Sequence, residues 1–373
     1  MESRVVVIHA DIDPIKGIAR PGPHQIYKNP RVSVENRKLP VLRPDEIRVK
    51  MIYAGICGTD VHLVTTHPDT GYIRCSSPAQ ITAAGRVIGH EGMGRVLEVG
   101  SQVRHVQPGT YVTFESIIVC HYCDECRRGD FNQCRHALLL GLEKDGLFGD
   151  IVDVPSMLTH DVSDMTGSEK GRRAAACVEP ASVAYVACQN THLKAGDVVA
   201  IFGAGPIGLF AAMLSKVAFG ASRVHMVEPV LFRRKLAGKW SDEIYDIDEF
   251  FNHGPSSIDV VIEASGNMGN INRVFRRLKA NGRVAILGRS GEPLSLDAVD
   301  HMITNAVYII GSRGHLGGAF AKILTLYRNG IIFLDDAVTG IIKGPDGICD
   351  LLNSPEKLLE ENCKVLVNLD CNK

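Results

Sequence analysis

The sequence predicts an α/β protein in two parts: a β-rich, irregular portion up to about residue 160, then a doubly wound parallel sheet. Three observations carry this. Short alternating stretches broken by Pro and Gly fill the first portion. Fully apolar runs separated by helix-length segments fill the second, and buried strands alternating with helices imply a parallel sheet covered on both faces. The chain has 373 residues, enough for about two domains. Hydrophobic residues at 45% and charged residues at 22% fit a globular chain, and a net charge of −1 offers nucleic acid no basic surface.

In chain order, residues 1 to about 40 read as mostly irregular, with Asp11 to Pro30 a loop holding at most one short strand. Glu46-Ile47-Arg48-Val49-Lys50-Met51 alternates as a half-buried strand does. Gly55 to Asp60 then breaks the pattern. Thr65 to Val87 is interrupted by Pro68, Gly71, Pro78 and Gly85. It reads as a surface loop, either a solvated insertion or a wall that turns Tyr72, Arg74 and Arg86 toward a substrate. Gly94 to Val99 and Pro108 to Thr113 are further short strands.

From Asp197 the texture changes. Val198 to Phe202 is an apolar run, Pro206 to Phe219 is helical in length and composition, and Val224 to Glu228 is a second short strand. Apolar runs recur at 259–262, 284–287 and 307–310, with helical material such as Asn270 to Lys279 between them; Ala237 to Ser257 is irregular. Val198 to Ser215 carries no charge and meets the length of a membrane helix. Gly203, Gly205, Pro206 and Gly208 interrupt it, so a strand, a turn and a helix are expected there and no membrane span. A helix near Phe320 to Arg328 and a strand at Lys364 to Leu369 close the chain.

Eleven cysteines, an odd number, argue against a closed disulfide framework. With no secretory leader pattern near Met1, a reducing, cytoplasmic setting is expected. Four of them form Cys120-x2-Cys123-x2-Cys126-x7-Cys134. Four thiolates so close can surround one tetrahedral Zn²⁺, and with every position filled by protein that ion is structural. Arg127, Arg128 and Arg135 would offset its negative charge. An iron–sulfur cluster also uses four cysteines, but nothing else in the chain signals redox chemistry.

Gly203-Ala204-Gly205-Pro206-Ile207-Gly208 has the form G-x-G-x-x-G, and it follows an apolar strand and opens a helix. Gly203 allows the tight turn, Gly205 admits a pyrophosphate, and Gly208 lets helix and strand pack closely, with Pro206 and Ile207 opening the helix whose N-terminus favours phosphate. Glu228 ends the next strand, where a carboxylate accepts from ribose hydroxyls and repels a 2′-phosphate. That favours NAD; Arg233 and Arg234 keep NADP open. The plain alternative is a structural glycine turn in a sheet that binds nothing.

Cys57, His90 with Glu91, and Glu179 come from three separate segments and offer a thiolate, an imidazole and carboxylates. Such a set can fix Zn²⁺ with one position open. An open Zn²⁺ is a Lewis acid that lowers the pKa of an alcohol, after which the carbon can release hydride to a nicotinamide. Alone, Cys57 reads as a core cysteine and His90 as a satisfied core histidine; together, beside a dinucleotide fold, they read as ligands. Thr59 could pass the alcohol proton outward and His62 take it to solvent; a turn hydroxyl and a surface histidine are the ordinary alternatives.

Together these residues resemble the zinc-dependent medium-chain dehydrogenase/reductase family from about Val41 to Leu369. The markers are Cys57-Gly58-Thr59-Asp60, Gly89-His90-Glu91, the four-cysteine lobe, Gly203 to Gly208 and Ile262-Glu263-Ala264-Ser265-Gly266. The resemblance implies a GroES-like β-rich catalytic domain over 1–185 with a structural-zinc lobe at 115–138, a Rossmann domain over 186–325, and a return to the catalytic domain over 326–373. It also implies two zinc ions per chain and a homodimer or homotetramer. Glu179-Pro180 is similar to the sorbitol, glucose and threonine dehydrogenase branch; alcohol dehydrogenases outside it usually place a cysteine at that point, and here Cys177 stands nearby. Members of the branch differ over which carboxylate touches the metal, so Glu91 and Glu179 are both named, one binding through water or only in some states. Two features depart from the branch. The segment between Asp60 and His90 is long, which implies a different substrate mouth, and Ala237 to Ser257 is short, which implies a different adenine side.

The expected function is hydride transfer between NAD and a secondary alcohol of a polyol, sugar, cyclitol or amino alcohol, giving a ketone. One rival is a biosynthetic ketone reductase using NADPH. Another is a non-catalytic zinc- and dinucleotide-binding protein, which would need no open metal.

Overall fold

The computed structural model describes residues 1–291, 293–355 and 361–370. The chain opens with β1 (Glu2–Ile12) and β2 (Tyr27–Lys38), which pair antiparallel. This corrects the irregular reading of the first 40 residues. Val5, Val6, Val7 and Ile8 are all buried, so the strand shows no alternation to read. Next come β3 (Glu46–Gly55), α1 (Gly58–Val64), β4 (Arg86–Val87), β5 (Glu91–Val99), β6 (Tyr111–Phe114) and β7 (Ile117–Ile118). They are followed by α2 (Asp124–Arg127), β8 (Leu138–Leu139), β9 (Ile151–Pro155), β10 (Thr159–Asp161), α3 (Glu169–Ala175) and α4 (Val178–Asn190).

Two further expectations are corrected in this region. Strand β3 is buried along most of its length, and Arg48 lies inside, held by Asp153 at 2.8 Å and Glu98 at 3.0 Å. A guanidinium can be buried when its fork is filled by carboxylates. Segment 65–87 is no solvated loop: Tyr72, Ile73, Cys75 and Ile81 are core residues. Tyr72 donates its hydroxyl to Asp13 O at 2.8 Å, Arg74 Nε donates to Thr66 O at 3.2 Å, and Arg86 pairs with Asp145 at 2.9 Å. These bonds hold the segment down.

The second stretch carries β11 (Val198–Phe202), α5 (Pro206–Val217), β12 (Arg223–Val227), α6 (Leu231–Ala237), β13 (Glu243–Tyr245) and α7 (Ile247–His253). It continues with β14 (Ile258–Glu263), α8 (Gly269–Val274), β15 (Leu278–Ile286), α9 (Val299–Asn305), β16 (Tyr308–Gly311) and α10 (Ala319–Arg328). The chain ends with β17 (Val338–Lys343), α11 (Gly344–Leu352) and β18 (Lys364–Asn368). The region from Ala237 to Ser257 is ordered structure, not an irregular gap. Asp246 caps α7, accepting from Glu249 N at 2.8 Å while Glu249 reaches back to Asp246 N. Among the described residues no helix is long and apolar enough to cross a membrane.

The contacts divide the chain into two units. One comprises Met1–Glu179 with the described residues of 338–355 and 364–370; the other comprises Pro180–Ala337 with the described residues 361–363. The return therefore begins at Val338 rather than 326. The reason is local: Phe333 stacks on Trp240, its backbone N–H meets the Met213 sulfur at 3.4 Å, and Lys239 pairs with Asp336. The first unit holds a three-stranded sheet, β2-β1-β4, and a seven-stranded sheet, β10-β6-β5-β3-β18-β17, with β9 also on β3. The second holds a six-stranded sheet, β13-β12-β11-β14-β15-β16, paired in parallel throughout. Numbered from β11, that order is 3-2-1-4-5-6, the arrangement that binds dinucleotides.

Candidate active site

Within the first unit, β3 runs into α1 and leaves Cys57 at the helix N-cap. Asp60 closes the turn: its Oδ2 accepts from Cys57 N at 2.9 Å. His90 precedes β5 on a turn through Gly89, whose φ of +91° a side chain would strain. A Cβ on Gly89 would also stand 2.2 Å from the Phe148 ring. The His90 backbone is thus fixed by close packing. Glu91 opens β5, and Glu179 lies in the first turn of α4.

The structure brings Cys57, His90 and Glu91 together, with one ligand atom from each inside 4.8 Å of the others. Glu179 is not in that set; it is buried and accepts from Ser116 Oγ at 3.1 Å, close enough to act electrostatically on His90 and Glu91. Burial pulls the His90 pKa down, but the Cys57 thiolate, then Asp60 and Glu179, outweigh it and hold the imidazole well above its usual range. The same anionic surroundings favour a cation. His90 Nδ1 and Asp60 Oδ1 are buried, 3.8 Å apart, and without a hydrogen-bond partner. Asp60 thus backs the ring from the Nδ1 side, and the converging thiol, imidazole and carboxylate of Cys57, His90 and Glu91 fit a metal ion.

Thr59 Oγ1 lies 3.7 Å from Cys57 Sγ, and His62 follows one turn later on α1, on the same face. Burial, then the charge of Arg74, pushes the His62 pKa down, so the ring is neutral at neutral pH and can accept a proton. Two participants were not found by sequence reasoning. Asp60 was visible in the Cys-Gly-Thr-Asp string, but its placement beside His90 was not. Lys364 carried one signal, a charge opening the apolar run Val365 to Val367. It is buried, donates to Ile56 O at 2.9 Å and pairs with Glu91. Burial alone would lower the Lys364 pKa; the Glu91 carboxylate reverses that and keeps the ammonium charged.

The four lobe thiols, Cys120, Cys123, Cys126 and Cys134, lie within 4.8 Å of one another. Cys123 Sγ is 3.8 Å and Cys120 Sγ 3.7 Å from Cys134 Sγ. Zn–S bonds of about 2.3 Å in a tetrahedron set sulfurs about 3.8 Å apart. An iron–sulfur cluster would hold its cysteine sulfurs farther from each other, so the set fits one ion. Of the arginines expected to offset the charge, Arg135 pairs with Asp124 and Glu125 and also acts electrostatically on Cys123, while Arg128 pairs with Asp130. Backbone N–H groups add to this. Against the upward push of burial, those of Tyr122 and Cys123 hold the Cys120 thiol down at about 6.

In the second unit the glycine turn joins β11 to α5. Gly203 has φ +94°, and a Cβ there would stand 3.0 Å from Ser265 backbone atoms. A Cβ on Gly208 would meet Gly203 O at 1.8 Å, whereas one on Gly205 would meet nothing within 4 Å. Two glycines are therefore set by packing and the middle one faces open space, as phosphate approach requires. Pro206 and Ile207 begin α5. Glu228 is buried; its Oε2 accepts from Ala204 N at 2.7 Å and its Oε1 from Val230 N at 2.9 Å. It thus braces the turn, and each oxygen retains a further lone pair. Arg233 Nε donates to Asn362 O at 3.1 Å, and Arg234 lies 3.6 Å from Glu249.

This fold and these donor sets define a metal-dependent dehydrogenase that uses a dinucleotide. Residues 43–164 match the family model described as alcohol dehydrogenase GroES-like domain, and 206–328 that described as zinc-binding dehydrogenase. The chain is 30% identical over 322 residues to L-threonine 3-dehydrogenase of Symbiobacterium thermophilum, covering 82% of this chain and 86% of that one. It is 30% identical over 338 residues to scyllo-inosose 3-dehydrogenase of Thermotoga maritima, covering 82% and 83%. A solved Thermotoga maritima structure, assigned as a candidate alcohol dehydrogenase, superposes with a TM-score of 0.86 at 28% identity, covering 98% of this chain and all of the other. The chain belongs to the zinc-dependent medium-chain dehydrogenase/reductase family, in the sorbitol and threonine dehydrogenase branch.

Proposed function

We propose that the protein oxidises a secondary alcohol of a polyol, sugar, cyclitol or amino alcohol to a ketone with NAD. The convergence of Cys57, His90 and Glu91 carries this reading, together with relatives that act on an amino alcohol and a cyclitol derivative. A zinc ion held by those residues would supply Lewis-acid polarisation of the alcohol oxygen. The chain's own residues do the rest. Asp60 orients His90, and Ser116 orients Glu179 for a role at the ion through water or in some states. Thr59 Oγ1 takes the alcohol proton and His62 passes it to solvent. Gly205 leaves room for pyrophosphate at the α5 N-terminus. Glu228 puts a carboxylate beside the turn, which disfavours a 2′-phosphate and supports NAD over NADP.

A homodimer or homotetramer is part of the proposal. Among the described residues β16 is a sheet edge, and Tyr308 on it and Ile303 on α9 are 56% and 73% exposed. None of the ten described cysteines is in a disulfide, which supports a reducing cytoplasm. The test is a screen of amino alcohols, cyclitols and pentitols, following nicotinamide absorbance with protein of known zinc content. Turnover that needs two zinc ions per chain supports the reading. Full activity after complete metal removal would overturn it.

A further inference from the structure

Lys364 is the only buried lysine among the described residues, and the fold makes a place for it. Strand β3 pairs with β18 on one side, Leu366 opposite Gly55, and with β5 on the other, Gly55 opposite Glu91. Gly55 is thus the residue between the two charges. A Cβ on it would stand 2.6 Å from Glu91 Oε2, 2.8 Å from Lys364 Cε and 2.9 Å from Lys364 Nζ. The strand has no side chain where the ion pair lies. Lys364 Nζ meets Glu91 Oε2 and donates to Ile56 O at 2.9 Å. The other carboxylate oxygen, Glu91 Oε1, lies 4.0 Å from His90 Nε2. One oxygen faces an ammonium and its twin faces the ligand cluster.

A carboxylate with both oxygens free can grip a divalent cation twice and fill a position that a substrate needs. We propose that Lys364 is a positioning residue that holds Glu91 Oε2, restricting Glu91 to one donor oxygen and keeping a coordination place for the alcohol. This rests on the reading of Cys57, His90 and Glu91 as the catalytic metal centre. It has an unusual sign: removing Lys364 tightens the metal and slows the enzyme, whereas loss of a merely structural residue loosens the metal.

The test uses the full chain loaded with zinc or cobalt. Lys364→Met should release its second metal to a chelator at least tenfold more slowly than wild type and lose turnover at least tenfold. Its cobalt d–d absorption should weaken as the coordination number rises. Release at the wild-type rate or faster, with an unchanged cobalt spectrum, overturns the proposal. Glu91→Gln and the Lys364→Met/Glu91→Gln pair keep it testable if Lys364→Met does not fold. With no carboxylate to hold, removing Lys364 should change release less than twofold. An equally strong slowing in that background makes Lys364 a bare charge and sinks the positioning role. Wild-type protein holding one metal per chain would refute the catalytic centre itself. Two metals with an unresponsive Lys364→Met refute this inference alone.

Discussion

Asp60 Oδ1 stands 3.8 Å from His90 Nδ1, and both atoms are buried. The same carboxylate ties down Cys57 N through its other oxygen, so one side chain sets two members of the ligand set. Outer partners of this kind typically matter by about 10- to 100-fold in metal affinity. Asp60→Ala is expected to lower retention of one zinc by that factor. Chelator competition with zinc counting checks it, and the lobe ion should be unaffected.

Cys57→Ser and His90→Ala remove donors from the proposed centre, on which alcohol polarisation would depend. Each should keep the near-ultraviolet circular dichroism of the wild type and lose turnover by roughly a thousandfold or more, since Lewis-acid stabilisation is worth several kcal/mol. Steady-state rates on equal amounts of folded protein are the measurement. Retention of most of the rate would remove Cys57 or His90 from the centre.

The glycine turn predicts opposite outcomes for neighbouring substitutions. Gly208→Ala would drive a Cβ to 1.8 Å from Gly203 O and should destabilise the fold by about 1–3 kcal/mol. Gly205→Ala meets nothing within 4 Å in the protein, so thermal unfolding should barely move. Its Cβ instead occupies phosphate space, and NADH affinity should fall by about tenfold or more, equivalent to about 1.4 kcal/mol. Fluorescence titration of NADH separates the two.

His62 gives a pH dependence of known sign. Its pKa lies below the ordinary 6.5 because of burial, then Arg74. The unfolded chain therefore takes up a proton before the folded one as pH falls through 6.5, and folding stability is lost in that direction. In zinc-loaded protein, urea denaturation between about pH 7 and pH 5 should show a decline that His62→Gln makes shallower. An unchanged slope would mean that His62 titrates as it does in water.

The lobe should behave as a separate structural unit of chemistry. Cys123→Ser leaves three thiols, and binding free energy at such sites is folding free energy. Zinc should drop to one per chain with a lowered melting temperature.

Much of this was readable along the chain. The Cys120 to Cys134 lobe and the Gly203 to Gly208 turn are local: their ligating or packing atoms come from one short segment, so spacing alone constrains geometry. The parallel sheet was legible because strands buried on both faces write themselves as apolar runs. The same burial hid β1, where Val5 to Ile8 offer no alternation and the following Pro and Gly read as loop. Segment 65–87 misled for the converse reason, since its turn residues concealed core side chains such as Ile73 and Ile81.

Residue identities by themselves determined which donors this protein could offer: thiols, an imidazole, carboxylates and a glycine turn. Only tertiary structure decided which of them share a place. It set Glu91 against Lys364, 273 positions apart, and drew Glu179 to Ser116, 63 positions away. Such pairings depend on strand register and on the cost of burying a charge without a partner, and neither is written in the residues near any one of them.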